Sequence, residues 1–386
     1  MSKAIYDVIV IGAGIEGSSS AYNLAKRGKK VLLLEQFPLP HSRGSSHGQS
    51  RITRYAYADE FYVRMMVDAF PMWAELERES GENFFVNCGL LDLHLANSKT
   101  ITKVTSSLKA HDVPHEVISP GELKRRFPHF KAGDNCAGVW DPSGGLLRAD
   151  RALKAFQTVF QKLGGVLRDE EPVTKVTPGD VVTVETPRSV YKANSLVIAA
   201  GAWAGRFCSS LGLNVPLQPV RTVVMYWKVD KDKIQNYSDS TFPCFIDSRT
   251  EATFTIYGFP NKEYPGLVKI CLHQGAITDP DERDKVDNDS WILEEVKRIL
   301  ALTFDNLENQ PAIREYCMYT NTPDHHPYID RHPTFHNIVI AAGFSGHGFK
   351  LAPAVGKAVS ELVLNDTFTY NMEPFKLNRF SPKANL

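Results

Sequence analysis

Residues 6–17 read Tyr6-Asp-Val-Ile-Val-Ile-Gly-Ala-Gly-Ile-Glu-Gly17, and residues 30–35 read Lys30-Val-Leu-Leu-Leu-Glu35. An apolar, β-branched run ends at Gly12, and Gly12, Gly14 and Gly17 stand in the G-x-G-x-x-G spacing. A second apolar run then ends in an acid. This is a strand–turn–helix–strand unit built to hold a dinucleotide. Gly12 makes the tight turn, Gly14 lets the backbone approach a pyrophosphate, and Gly17 lets the helix pack closely on the strand. Free N–H groups at the helix start attract phosphate. Glu35 is placed to accept hydrogen bonds from a ribose with a free 2′-hydroxyl, and its charge repels a 2′-phosphate. FAD or NAD is therefore favoured over NADP. The fingerprint alone does not separate flavin from nicotinamide.

The helix of this unit spans Ile15 to Arg27, with Ala21, Leu24 and Ala25 on one face and Gly28 as its stop. A polar loop follows from Pro38 to Arg54, with two histidines and three arginines beside the phosphate turn. Its Gly, Ser and Pro content predicts irregular chain. Phe61–Ser80 has helical spacing of Met65, Met66, Phe70, Trp73 and Leu76, with a kink or break expected at Pro71. Short strands are expected at Phe84–Val86 and Leu90–Leu95, and a helix over Ala149–Gly164. A meander follows from Val173 to Val190. The run Ser195-Leu-Val-Ile-Ala-Ala-Gly-Ala-Trp203 predicts a buried parallel strand entering a glycine turn. β-rich pieces at Thr222–Lys228, Thr253–Gly258 and Leu267–His273 precede a polar helix at Asp289–Phe304. Ile338–Gly343 is a second buried strand, entering Phe344-Ser-Gly-His-Gly-Phe-Lys350, with a helix expected from about Ala352. Dinucleotide-type segments at the start, middle and end imply two interleaved domains. The fold class is mixed α/β, a Rossmann-like domain of residues 1–80, 150–218 and 320–386. It is interleaved with a β-sheet substrate domain of 81–149 and 219–319.

Composition narrows the function. The 386 residues are 43% hydrophobic and 23% charged, with 44 basic against 44 acidic side chains. A balanced chain of this size has a large core and lacks the basic excess of a general nucleic-acid or membrane-surface binder. The six cysteines, Cys88, Cys136, Cys208, Cys244, Cys271 and Cys317, form no C-x-x-C motif. Neither a disulfide framework nor a metal site is expected. No signal peptide is expected either, because Ile5–Ile11 is committed to the first strand and carries Asp7. The last three residues, Ala384-Asn385-Leu386, loosely fit a Ser-Lys-Leu peroxisomal address, with Asn385 in place of the basic residue.

Six ordered motifs then resemble one family along essentially the whole chain. They are V-I-G-A-G-I-E-G, S-H-G-Q-S-R-I-T-R, A-A-G-A-W, Y-G-F-P, C-M-Y-T-N-T-P-D and G-F-S-G-H-G-F-K-L-A-P. Together they resemble the monomeric sarcosine oxidase and peroxisomal sarcosine/L-pipecolate oxidase family, in the D-amino-acid-oxidase-like group of flavoproteins. The resemblance implies one FAD per chain, joined through Cys317 to the 8α-methyl of the isoalloxazine, with Gly12, Gly14, Gly17, Glu35, Val173, Gly201, Gly346 and Gly348 as cofactor contacts. It implies that Arg54 and Lys350 bind a substrate carboxylate, and that Lys269 faces flavin N5 and activates oxygen. His273, Tyr257 and Tyr319 would line the pocket, and His47 and Arg51 would tune the flavin charge. On pattern alone, Lys269 also fits a half-exposed strand with its polar residues outward.

The implied reaction oxidises secondary-amine α-amino acids by oxygen, giving an imine or its hydrolysis products and hydrogen peroxide. From sarcosine these products are formaldehyde and glycine. L-Pipecolate and L-proline are the other candidate substrates. The implied protein is a monomer in the peroxisome, with an import receptor as partner, or in the cytoplasm if the tripeptide is not read. Three departures from bacterial relatives border the pocket: Ser46 replaces a histidine, Gln49 replaces an acid, and the spacer from Tyr257 to Lys269 is slightly longer. Two other classes remain open on the residues, an NAD-dependent amino-acid dehydrogenase and a non-catalytic flavin-binding protein. The first has no use for Cys317. The second has no need of Lys269, Lys350 and Arg54 together.

Overall fold

The computed structural model describes residues 5–249, 254–285 and 289–380. Tyr6–Ile11 is a central strand of an eight-stranded sheet. It lies parallel to Val31–Leu34 on one side and to Val190–Ile198 on the other. Val8, Ile9 and Val10 are buried, as a strand covered on both faces requires. Ile338–Ala342 adds a further parallel strand along Leu196–Ile198. The strand read from Ser195 in fact begins at Val190, because its first half pairs antiparallel with Val182–Glu185 of the meander.

Helix Ile15–Lys26 covers one face of this sheet and is buried from Ile15 to Ala25. It crosses the late helix Gly348–Leu364 so closely that a side chain at Gly356 would overlap Ser19 Oγ. Ser19 Oγ also donates to the Ala352 carbonyl at 2.7 Å. This late helix starts at Gly348, four residues before the expected start, and Pro353 is carried within it. Gly348 and Lys350 thus belong to its first turn. The helix Glu60–Ser80 runs unbroken through Pro71. Its apolar stripe, including Met65, Met66 and Trp73, is held in the same core as the late helix.

A nine-stranded, largely antiparallel sheet stands beside the first. Gln218–Val229 pairs on one side with Leu307–Asn321 and on the other with Leu267–Leu272. Leu267–Leu272 then pairs with Ile256–Phe259. Thr253, the first residue of the expected β-rich piece Thr253–Gly258, lies outside the described residues, as do Ala384, Asn385 and Leu386. The helix Ser290–Thr303, expected to be polar, is amphipathic instead and places Ile292, Val296 and Ile299 in the core of this sheet. A three-stranded sheet includes Ser50–Thr53 paired with Gly145–Arg148. The cationic loop therefore ends in a strand, which buries Ile52 and Thr53.

Among the described residues, all six cysteines are free. No group of three or more His, Cys, Asp or Glu side chains there could hold a metal ion. No described helix is long and apolar enough to cross a membrane.

Candidate active site

Two cavities share a wall formed by His47, Gly48, Arg51, Tyr319, Gly346 and Phe349. The first has a volume of about 1170 Å³ and is lined by Gly12, Gly14, Glu35, Val173, Gly201, Gly346 and Gly348, among others. The second, of about 430 Å³, is lined by Arg54, Tyr257, Lys269, His273, Cys317 and Lys350, among others. Gly17 lines neither; a side chain there would overlap the Gly12 carbonyl oxygen, so it serves the helix–strand contact.

The first cavity fits a dinucleotide in size and in chemistry. Its volume exceeds the roughly 300–1,000 Å³ of ordinary small-molecule clefts. Gly12 has φ +98°, which L side chains rarely adopt, and a Cβ there would lie 2.5 Å from the Ala199 carbonyl oxygen. Gly14 caps the helix Ile15–Lys26, so its first N–H groups open toward the cavity. Glu35 accepts from the Ala13 N–H at 2.9 Å and the Phe37 N–H at 3.1 Å, which fixes its carboxylate on the turn. Ser46, which the sequence marked only as a departure, accepts from the Ile15 N–H at 2.9 Å. Glu16 lines this cavity with both carboxyl oxygens buried and without hydrogen-bond partners, and burial raises its pKa well above the usual range.

At the shared wall, Arg51 organises the loop. Its guanidinium donates to the carbonyls of Ser45 (2.8 Å), His47 (2.6 Å) and Ser50 (2.8 Å), and lies 3.8 Å from Cys317 Sγ. Burial opposes its charge, but Cys317, Tyr257 and Tyr319 nearby hold it strongly basic. Burial drives His47 down to about 4, so it stands neutral beside this cation. Gly346, at φ +82°, sits where a Cβ would meet His273 at 2.7 Å and Tyr319 at 2.8 Å. Only glycine lets the turn close over those two rings.

The second cavity gathers cations. Arg54 lies 4.4 Å over the Tyr57 ring and 3.6 Å from Asp92, with its Nε buried and unpartnered. Burial first, then repulsion from Arg54 and Arg51, push Lys350 well below the ordinary lysine value. His273 falls to about 4 through burial and the charges of Lys350 and Arg54. Tyr319 donates to Tyr257 at 3.4 Å, and His273 packs against the Tyr319 ring at 5.3 Å. Lys269 is only 4% exposed, which removes the reading of a half-exposed strand face. The sites of Lys269, Arg54 and Lys350 come from three distant segments that fold onto one space.

Three wall residues escaped the sequence reading. Asp92 and His94 alternate within Leu90–Leu95, and their polar spacing on one face of an apolar strand was the available signal. Asp92 contacts His94 at 3.1 Å. His347 caps the late helix, lies against Tyr57 and Tyr62, and is pushed by burial and Lys350 to about 3.

Lys350 makes the pH response of anion binding predictable. Its native pKa is depressed, so the ammonium loses its proton at lower pH than a free lysine. A bound carboxylate favours the protonated form. Affinity for a simple carboxylate such as propanoate therefore falls as pH rises through the lowered Lys350 pKa, while His273 and His347 are already uncharged at neutral pH. Lys350→Met should flatten this slope in a spectroscopic titration. An unchanged slope would place the titration elsewhere.

Residues 7–362 match the family described as FAD dependent oxidoreductase. The chain is 45% identical over 380 residues to the peroxisomal sarcosine oxidase of Homo sapiens, covering 98% of this chain and 97% of that one. It is 34% identical to the monomeric sarcosine oxidase of Bacillus sp. strain NS-129, with 97% of each chain covered. Among solved structures, L-proline dehydrogenase from P. horikoshii superposes with TM-score 0.81 at 25% identity, over 97% of this chain and 98% of that one. Glycine oxidase from Geobacillus kaustophilus shares the fold, with TM-score 0.77 at 18% identity over 98% and 99%. The glycine turn, the two joined cavities and these relatives agree, and the chain belongs to the FAD-dependent oxidoreductases, within the sarcosine oxidase family.

Proposed function

We propose that this protein oxidises secondary-amine α-amino acids with oxygen as acceptor, sarcosine, L-pipecolate and L-proline being the substrate candidates. The observation that carries the reading is the second cavity, where Arg54, Lys350 and Cys317 line one space that adjoins the dinucleotide cavity through a shared wall. Mutually repelling buried cations call for an anion, and an amino-acid carboxylate is the anion that fits an amine oxidase. The relatives named as sarcosine oxidases support the substrate class.

FAD, one per chain and joined at Cys317 Sγ, would supply the two-electron acceptor. Gly12, Gly14, Gly17, Glu35, Val173, Gly201, Gly346 and Gly348 would form its bed. Arg54 would take the substrate carboxylate with its fork and Lys350 would add a point charge. Tyr257, Tyr319 and His273 would wall the amine end, with neutral His273 adding no charge against it. The surrounding cations favour the free-base amine. Arg51 and His47 would set the charge beside the cofactor. The amine loses two electrons and two protons, oxygen gains both as hydrogen peroxide, and water hydrolyses the imine. Sarcosine, oxygen and water thus give glycine, formaldehyde and hydrogen peroxide. Lys269 would stabilise the negative charge that develops on oxygen. Lys269→Met should slow reoxidation of the reduced protein by about 100-fold or more. Stopped-flow mixing with oxygen reads this, and reoxidation at the normal rate would remove the role.

In this reading residues 1–80, 150–218 and 320–386 hold the cofactor, and 81–149 and 219–319 supply the substrate wall. The protein acts as a monomer, as the name of the Bacillus relative suggests. The human and mouse relatives favour a peroxisomal location. An import receptor would read Ala384-Asn385-Leu386. The test is a peroxide assay with the three amino acids. Peroxide with none of them, from protein that carries FAD, would overturn the proposal.

A further inference from the structure

Lys269 does not face the second cavity as a free charge. The turn between Ile256–Phe259 and Leu267–Leu272 brings Glu263 to it. Lys269 Nζ lies 3.2 Å from Glu263 Oε1, 3.2 Å from Ser50 Oγ and 3.5 Å from the Ser50 carbonyl. Those three acceptors match the three donors of an ammonium. The Phe259 ring, 5.0 Å away, covers another side. Glu263 is itself fixed: Tyr226 donates to Oε2 at 2.6 Å, and the Ser50 hydroxyl donates to Oε1. Its carboxyl is 8% exposed. Burial would raise its pKa, but Lys269, Ser50 and Tyr226 outweigh burial and hold it ionised.

A cation and an anion this close present a dipole to their surroundings, and a dipole field fades faster with distance than that of a single charge. We propose that Glu263 is a positioning residue that pins the Lys269 ammonium and offsets its charge, and so sets how strongly the cavity draws negative charge onto oxygen. This rests on the reading of Lys269 as the oxygen-facing cation. Ser50, Tyr226 and Glu263 act through that lysine.

The holoenzyme carrying Glu263→Gln tests it. The amide keeps the volume and an acceptor for Nζ while removing the charge. Reoxidation of the reduced protein by oxygen should accelerate at least about fivefold, a larger change than in anaerobic reduction by substrate. Sulfite, an anion that adds reversibly to the oxidised isoalloxazine, should bind at least about fivefold more tightly. Glu263→Asp, which keeps the charge but lengthens the pair, should fall between. Burial favours an uncharged Glu263 once its lysine partner is gone, so the Lys269→Met, Glu263→Gln double variant should match Lys269→Met alone in both measurements. Normal reoxidation of Lys269→Met overturns the lysine reading. Slow reoxidation of Lys269→Met with no acceleration or tighter sulfite binding in Glu263→Gln overturns only the inference about Glu263. If Glu263→Gln does not load cofactor, the Asp variant decides by the same two measurements.

Discussion

Arg54→Met is expected to lower kcat/KM for the amino-acid substrate by roughly 30- to 1,000-fold, mostly through KM. The side chain is 18% exposed. It lies flat on Tyr57 and is held at one end by Asp92, so its fork is already oriented. Removing one member of a desolvated, hydrogen-bonded charge pair costs roughly 2–4 kcal/mol, and about 1.4 kcal/mol is tenfold. Methionine keeps the apolar bulk over the ring but offers no donors. Lys350 cannot replace it, because its own charge is opposed by burial. Steady-state kinetics with the preferred amine, beside propanoate binding, measures the effect. If propanoate binding weakens while kcat holds, the loss lies in ground-state grip. A full-strength carboxylate site in Arg54→Met would assign the anion to other cations.

Cys317→Ser should leave no colour with the polypeptide after acid denaturation, whereas the wild-type pellet stays yellow. Cys317 Sγ sits 3.6 Å from the Ser45 carbonyl and 3.8 Å from Arg51, on the wall of the second cavity. A serine hydroxyl fits the same space but lacks the nucleophilicity for a thioether. FAD would then be held only by the non-covalent contacts of the dinucleotide cavity, and would dissociate on dilution. Its loss should be visible as falling flavin absorbance after gel filtration. A colourless wild-type pellet would remove the covalent link and leave the non-covalent site intact.

How much of this was readable from the chain depends on how far apart the partners lie. Gly12 to Glu35 is one contiguous unit, so its strand, turn and acid were readable from spacing. Lys269, Cys317, Arg54 and Lys350 are single polar residues in separate segments, and only a resemblance could group them before the fold was seen. Asp92 and His94 left only a faint signal in their alternation, and Glu263 left none. In a linear pattern, a polar residue within Leu90–Leu95 or a glutamate in a turn looks like a solvated side chain. Burial turns them into partners of Arg54 and Lys269. The helix start at Gly348 was missed because glycine and histidine are poor helix formers, and tertiary packing overrides their preference. The Ser50–Thr53 strand was hidden in the same way, since its partner Gly145–Arg148 is remote in sequence.

The sheet order also bears on when the cofactor can be taken up. Tyr6–Ile11 is flanked by Val190–Ile198, which in turn pairs with the much later strand Ile338–Ala342. Loop-closure entropy must be met before such distant strands reward it, so folding of this topology is slow and late. The cavity around the phosphate turn is also lined by Gly346 and Gly348, so it is complete only once those late residues have been made. Flavin capture therefore follows synthesis and cannot guide it. A cell short of flavin would then accumulate finished, colourless chains, not stalled ones.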